Sequence, residues 1–160
     1  MRLRQLAVVA QALGPSADPL YLATEYHPYV LEHLKPVLDI MAEHDIVVES
    51  YGPLSPLLRH PSGGPIKPVL ERIAARLSKE TDTEVDAAMA LLLWTRAKNV
   101  VAVTASGNEG RIAKLARTQD LPDLTADEVA EVEELGRKIH FRAYVRPTFS
   151  FSSALACCRS

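Results

Sequence analysis

The amino-acid sequence predicts an α/β fold built around a parallel sheet, and three observations carry that prediction. Short apolar or β-branched runs at Leu20 to Thr24, Ile46 to Ser50 and Val100 to Thr104 alternate with longer segments of helical periodicity, the pattern of βαβ units. The third run is continuous in valine and alanine, as a parallel strand covered on both faces requires. Each run ends in a turn that carries chemistry: Tyr26-His27, Tyr51-Gly52 and Ala105-Ser106. Right-handed crossovers put such strand ends on one side of the sheet, where open and closed α/β folds bind ligands.

The elements follow in order. Leu3, Leu6, Val9 and Leu13 fall at helical spacing, so Arg2 to Leu13 predicts an amphipathic helix closed by Gly14-Pro15. Gln5 and Gln11 interrupt its likeness to a secretory leader. Leu31 to His44 reads as helical, with Pro36 implying a start near Lys35 or a kink there. Gly52 to Pro68, rich in proline and glycine, predicts a long loop with little regular structure of its own. Val69 to Lys79 is amphipathic, with Leu70, Ile73 and Leu77 on one side. Thr83 to Asp86 has the form of a capping box and introduces Val85 to Ala97, a helix apolar nearly all round and therefore buried. Ser106 to Glu109 is again capping-box-like and opens a helix from Glu109 to Arg117; Thr125 to Glu128 opens another that ends at Gly136. From His140 onward the chain reads as irregular, aromatic and then serine-rich.

At 160 residues, without repeats or a clear linker, one domain is expected. No basic block points to nucleic acid or an anionic membrane, and no apolar run is long enough to span a bilayer. The two cysteines are neighbours, Cys157-Cys158, which points to a reducing compartment, the cytoplasm. Cys157 stands fourth from the end, but Arg159 occupies a place where a prenylation signal wants an aliphatic residue.

Two readings stand open at each strand end. Tyr51 presents a flat ring to a ligand, or it is a rim residue before an ordinary Gly-Pro turn. Ser106 to Arg111 is an anion site at a helix start, with Arg111 binding a phosphate bidentately, or Ser106 is a plain cap and Arg111 a solvated residue. His27, between Tyr26 and Tyr29, is an acid/base group or a packed rim histidine bonded to backbone. Glu25 and Glu49 lie near strand ends without the spacing of a catalytic couple. There is no Cys/His metal spacing, no phosphate-cradling glycine motif and no nucleophile elbow.

Glu25-Tyr26-His27-Pro28-Tyr29, then Val47 to Leu54 with its Tyr51-Gly52-Pro53-Leu54 turn, then Val100 to Ile112, resemble the aldo-keto reductase family in order and approximate spacing. The fungal NADPH-dependent branch, where a Tyr-Gly-Pro-Leu turn is usual, looks most similar. The resemblance covers about Arg2 to Val145. It implies a partial (β/α)8 barrel, about strands six to eight, with 1–145 as the C-terminal half and 146–160 as an irregular serine-rich tail. It also implies NADP(H)-dependent reduction of aldehydes and ketones. Tyr51 would stack on the nicotinamide, the backbone of Gly52 and Leu54 would lie along the pyrophosphate, and Ser106 and Arg111 would hold the adenosine 2′-phosphate.

Several positions depart from the family. Ala105 replaces a common lysine, Lys114-Leu115 a Glu-Asn pair, and Leu22-Ala23 an Asn-Gln pair that contacts the nicotinamide amide. The family's catalytic tyrosine, lysine, aspartate and histidine come from the first four strands, and Met1 would fall just after its Ser-Asn cofactor motif. The expectation is a truncated chain that carries the cofactor-binding half and is inactive alone. The alternative is a non-catalytic NADP(H)-binding or assembly module, self-associating through open sheet edges. A small carbonyl compound is the expected substrate of the full-length family; neither nucleic acid nor a membrane is an expected partner.

Overall fold

The computed structural model describes residues 21–144; the predicted first helix, the tail at 146–160 and Cys157-Cys158 lie outside them. Strands β1 (Tyr21–Glu25), β2 (Val47–Tyr51) and β3 (Val101–Val103) form one parallel sheet in the order β1-β2-β3. The register sets Glu25 opposite Tyr51 and Tyr51 opposite Val103, so the three C-terminal ends share one edge of the molecule.

A 3-10 turn at Pro28–Val30 runs directly into α1 (Leu31–Glu43). Pro36 sits inside this helix and does not delay its start. Leu31 and Leu34 are buried and hold the first turn, while Pro36 and Glu32 are exposed, so water can serve the Glu32 carbonyl that Pro36 cannot. The expected loop at 52–68 contains a short helix, α2 (Ser55–Leu58), whose second residue is Pro56, a position where a missing N–H costs nothing.

The core lies among α3 (Lys67–Thr81), α4 (Ala87–Ala97) and α6 (Ala126–Arg137). Leu70, Ile73 and Leu77 of α3 meet Met89, Leu91, Leu93 and Trp94 of α4, all fully buried, at about 1.5–3 kcal/mol for each large side chain. Tyr26 stacks on Trp94 with ring centres 5.6 Å apart. Arg76 of α3 makes two bonds to Glu128 of α6, at 2.7 and 2.8 Å, and fastens the two helices. The capping box at Thr125 forms as expected, with Glu128 reaching back to the Thr125 N–H.

The box expected at Thr83 does not form. Asp86 caps α4 by accepting the Met89 N–H, while the Ser78 hydroxyl and the Val85 backbone exchange hydrogen bonds and hold the chain extended up to Asp86. Asn108, not Ser106, caps α5 (Glu109–Ala116), which runs into a 3-10 turn at Arg117–Asp120. Helices α1, α3 and α4 stop at Asp45, Asp82 and Asn99, whose φ of 51°, 50° and 54° is the left-handed geometry Asx residues tolerate.

The run of valine and alanine predicts that β3 is covered on both faces, yet Val101 and Val103 are 45% and 48% exposed. The strand lies at the outer position of the sheet, and among the described residues no strand pairs with its far side.

Candidate functional site

The C-terminal strand ends meet as expected, but the residues there are held in two different ways. At the end of β2, Tyr51 is 38% exposed and its ring meets Tyr144 edge-on, with centres 5.5 Å apart and planes at 82°. Gly52 follows with φ +65°, open to glycine and strained for other residues. A Cβ there would lie 2.6 Å from the Tyr144 ring and 2.8 Å from the Ser55 hydroxyl. The Gly52 carbonyl accepts the Ser55 N–H, and the Leu54 carbonyl accepts those of Leu57 and Leu58, so both oxygens are used inside the turn. The Leu54 side chain is buried. The Ser50 hydroxyl donates to the Tyr26 carbonyl at 2.7 Å, tying the ends of β2 and β1 together.

Glu25, at the end of β1, is fully buried and fully used. Its carboxylate accepts the backbone N–H of Ala143 at 2.7 Å and of Tyr144 at 3.4 Å, and lies 3.4 Å from Arg142 Nε. His27 Nε2 is 3.2 Å from its Oε1. His27 is therefore a fully buried histidine bonded to a carboxylate, rather than a rim residue bonded to backbone. Its Nδ1 has no partner among the described residues, and burial pulls its pKa down against the opposing pull of Glu25. Glu25 and Glu49 do not face each other: Glu25 pairs in register with Tyr51, Glu49 with Ala23. Tyr26 is buried on Trp94, which raises its phenol well above the usual range. Tyr29 donates its hydroxyl to the Gly63 carbonyl and is pushed up to about 12, mainly by burial.

The other side is open. Ser106 accepts the Asn108 N–H at 3.1 Å, and Asn108 accepts the Arg111 N–H at 2.9 Å. One of the N–H groups expected to face an anion is thus spent on the cap. The Arg111 side chain is exposed and pairs with no carboxylate among the described residues. Lys114, one of the departures noted above, bonds Glu84 at 2.7 Å and Asp86 at 3.1 Å, which raises its pKa and ties α5 to the start of α4.

Sequence reasoning missed Tyr144 and Arg59. The Arg59 guanidinium lies over the Tyr144 ring, 4.9 Å from its centre. A cleft of about 720 Å³ lies toward the opposite end of the sheet, lined by Tyr26, Met41, Ile46, Val48, Asn99 and Val101 among others, and not by Tyr51, Tyr144 or Arg111. Among the described residues no His/Cys/Asp/Glu group is arranged to hold a metal, and no helix is long and apolar enough to cross a membrane.

No protein-family model matches the chain. It is similar to an NAD/NADP-dependent indole-3-acetaldehyde reductase of Schizosaccharomyces pombe, 33% identical over 114 residues, which cover 70% of this chain and 36% of that protein. An NADPH-dependent alpha-keto amide reductase of Saccharomyces cerevisiae is 31% identical over 112 residues, 70% of this chain and 35% of that one. Among solved structures, one assigned to a 2,5-diketo-D-gluconic acid reductase B superposes with a TM-score of 0.66 at 25% identity, covering 92% of this chain and 47% of its own. An aldo/keto reductase from Brucella melitensis superposes with a TM-score of 0.61 at 19% identity, over 84% of this chain and 46% of its own, a likeness of fold alone. The chain spans about a third of the length of the curated relatives it matches and about half of these solved structures.

Proposed function

The chain resembles the aldo-keto reductases in sequence and in fold, and from that premise we propose that it forms the NADP(H)-holding part of a reductase that converts aldehydes or ketones to alcohols. The observation that carries the reading is the gathering of Tyr51-Gly52 and the Ser106 to Arg111 loop at one end of a parallel sheet. In this reading the three strands are six to eight of a (β/α)8 barrel, and 1–145 is its C-terminal half.

The residues fit the cofactor. Tyr51 offers a flat, accessible ring for the nicotinamide, and the Gly52 to Leu54 backbone runs beside it for the pyrophosphate. Ser106 and the exposed Arg111, at a helix start whose dipole favours anions, suit the 2′-phosphate. When bound, NADPH supplies the hydride. Carbonyl reduction also needs a proton donor, and Tyr26 and Tyr29 are both committed to packing and hydrogen bonds. The ion-paired couples Lys35–Asp39 and Lys114–Asp86 sit on helices and at a helix cap. On this reading residues 1–160 bind NADPH without turning over aldehyde, and the acid comes from the residues the family carries on its first four strands.

The names of the two relatives differ on NAD against NADP, so cofactor preference is the sharpest test. Calorimetric titration of residues 1–160 should give tighter binding for NADPH than NADH, and Arg111→Ala should abolish the difference. Equal affinities in the unsubstituted chain overturn the assignment of Ser106 and Arg111. The exposed β3 favours a second reading, a module that self-associates through its sheet edges. Oligomers in light scattering, dispersed by a lysine at Val103, would support it.

A further inference from the structure

Tyr144 stands at the strand ends although nothing in its own neighbourhood of sequence calls for it there. We propose that Tyr144 belongs to the nicotinamide end of the dinucleotide site, as a second aromatic wall at right angles to Tyr51, and that Glu25 is the positioning residue that holds it. The inference deepens the NADP(H) reading above and rests on it.

Three observations converge. The backbone of Ala143 and Tyr144 is pinned by a carboxylate with no solvent exposure, and Glu25 is itself the register partner of Tyr51. The pin, the ring it places and the ring it touches therefore form one unit. Next, the Tyr144 ring fills the space a side chain at position 52 would need, so the left-handed Gly52 turn and the ring fit each other. Lastly, Tyr144 is 42% exposed. A ring placed only to fill the core would be covered, whereas this one keeps a surface turned to solvent beside the exposed Tyr51.

Perpendicular rings make a corner. A planar group stacked on Tyr51 has its face fixed by that ring, and its sideways travel is limited by the second. The edge contact also restrains Tyr51 itself, which a stacking platform needs if ordering it is not to weaken binding. Arg59, seated on Tyr144, brings a positive charge to the same corner and suits a ligand that carries phosphate.

The test separates the two ends of the ligand. Residues 1–160 and variants are titrated with NADPH and with adenosine 2′,5′-bisphosphate, which keeps the 2′-phosphate and lacks the nicotinamide. Tyr144→Ala should weaken NADPH about two- to tenfold, the range of an aromatic pair, and leave the bisphosphate unchanged. Tyr144→Phe should restore parental NADPH binding, and Glu25→Gln, if it folds, should shift NADPH in the direction of Tyr144→Ala. An unsubstituted chain that binds NADPH while Tyr144→Ala binds it equally well overturns the inference alone. So does a Tyr144→Ala variant that loses both ligands in parallel, which would mark Tyr144 as a structural residue. An unsubstituted chain that binds neither ligand overturns the dinucleotide reading, and this inference with it.

Discussion

The two sides of the candidate site are built by opposite means. On the β1–β2 side Glu25, His27 and Ser50 are fully buried polar groups with named partners, and the exposed Tyr51 rests on a residue pinned by one of them. On the β3–α5 side no residue of α5 is fully buried and every residue of β3 is exposed; β3 is held by its pairing with β2, and α5 by the Asn108 cap, the Lys114 bridges and the half-buried Leu115 against the core. The first side takes its geometry from the core and shares its stability. The second has few buried contacts behind its hydrogen bonds and ion pairs, so it can open without the rest of the protein unfolding.

The largest effect that tests this contrast is Glu25→Ala. It strips His27, Ala143 and Tyr144 of a buried charged partner, and removing one member of such a buried set typically costs about 3–5 kcal/mol. Glu109→Ala, an exposed acid in the first turn of α5, should cost less than about 1 kcal/mol. Urea midpoints measure both, and similar small shifts would collapse the contrast. Arg111→Ala comes next. It should lower NADPH affinity by about 1.5–3 kcal/mol, the range for a hydrogen bond to a charged group, with an unchanged midpoint because the side chain is exposed. A stability loss as large as the binding loss would mean that Arg111 serves the fold.

The same contrast decides what the sequence makes legible. Helix 87–97 is readable because its apolar residues recur on every face, and Met89 through Thr95 are indeed all buried. The strand ends are readable because Tyr51-Gly52 and the Asn108 region carry turn and cap chemistry within a few residues. Cap choice is less readable: Thr83 and Asp86 compete three residues apart, and the Ser78–Val85 exchange decides between them. The Glu25 pin is not readable at all, since its partners lie 118 and 119 residues away. The exposure of β3 escapes for another reason. An apolar run shows that a strand can be covered and says nothing of whether a neighbour is there to cover it.

A third effect is pH dependence from His27. Burial, with smaller help from Arg142 and His140, holds its folded pKa below the ordinary 6.5, while Glu25 opposes the shift. Above pH 6.5 the ring is neutral in both states and contributes nothing. As pH falls below 6.5 the unfolded chain binds a proton that the folded chain refuses, so stability declines, by at most about 1.4 kcal/mol per pH unit, until the folded pKa is reached. His27→Gln should flatten that part of the profile. Urea midpoints at pH 7.5 and 5.5 for parent and variant isolate it from the other histidines, and parallel profiles would remove His27 from the account.

The smallest effect is the most local. Asn108 accepts the Arg111 N–H, and replacing such a cap by alanine typically costs about 1 kcal/mol. Because no residue of α5 is fully buried and its core contact, Leu115, lies in its last turn, that loss should appear as fraying of its first turn and not as a lower global midpoint. Amide exchange at Arg111 and Ile112 should speed up about fivefold, while Leu91 and Leu93 in α4 stay protected. Thr125→Ala removes a cap of the same kind from α6. There the cap's partner Glu128 is also held by Arg76, and the helix buries Val132, so the midpoint itself should fall. Two equal caps would then give two different readouts, set by whether the helix behind each is anchored in the core. If Asn108→Ala lowers the global midpoint as much as Thr125→Ala does, α5 belongs to the cooperative core, and the loop holding Ser106 and Arg111 is as rigid as the turn holding Tyr51.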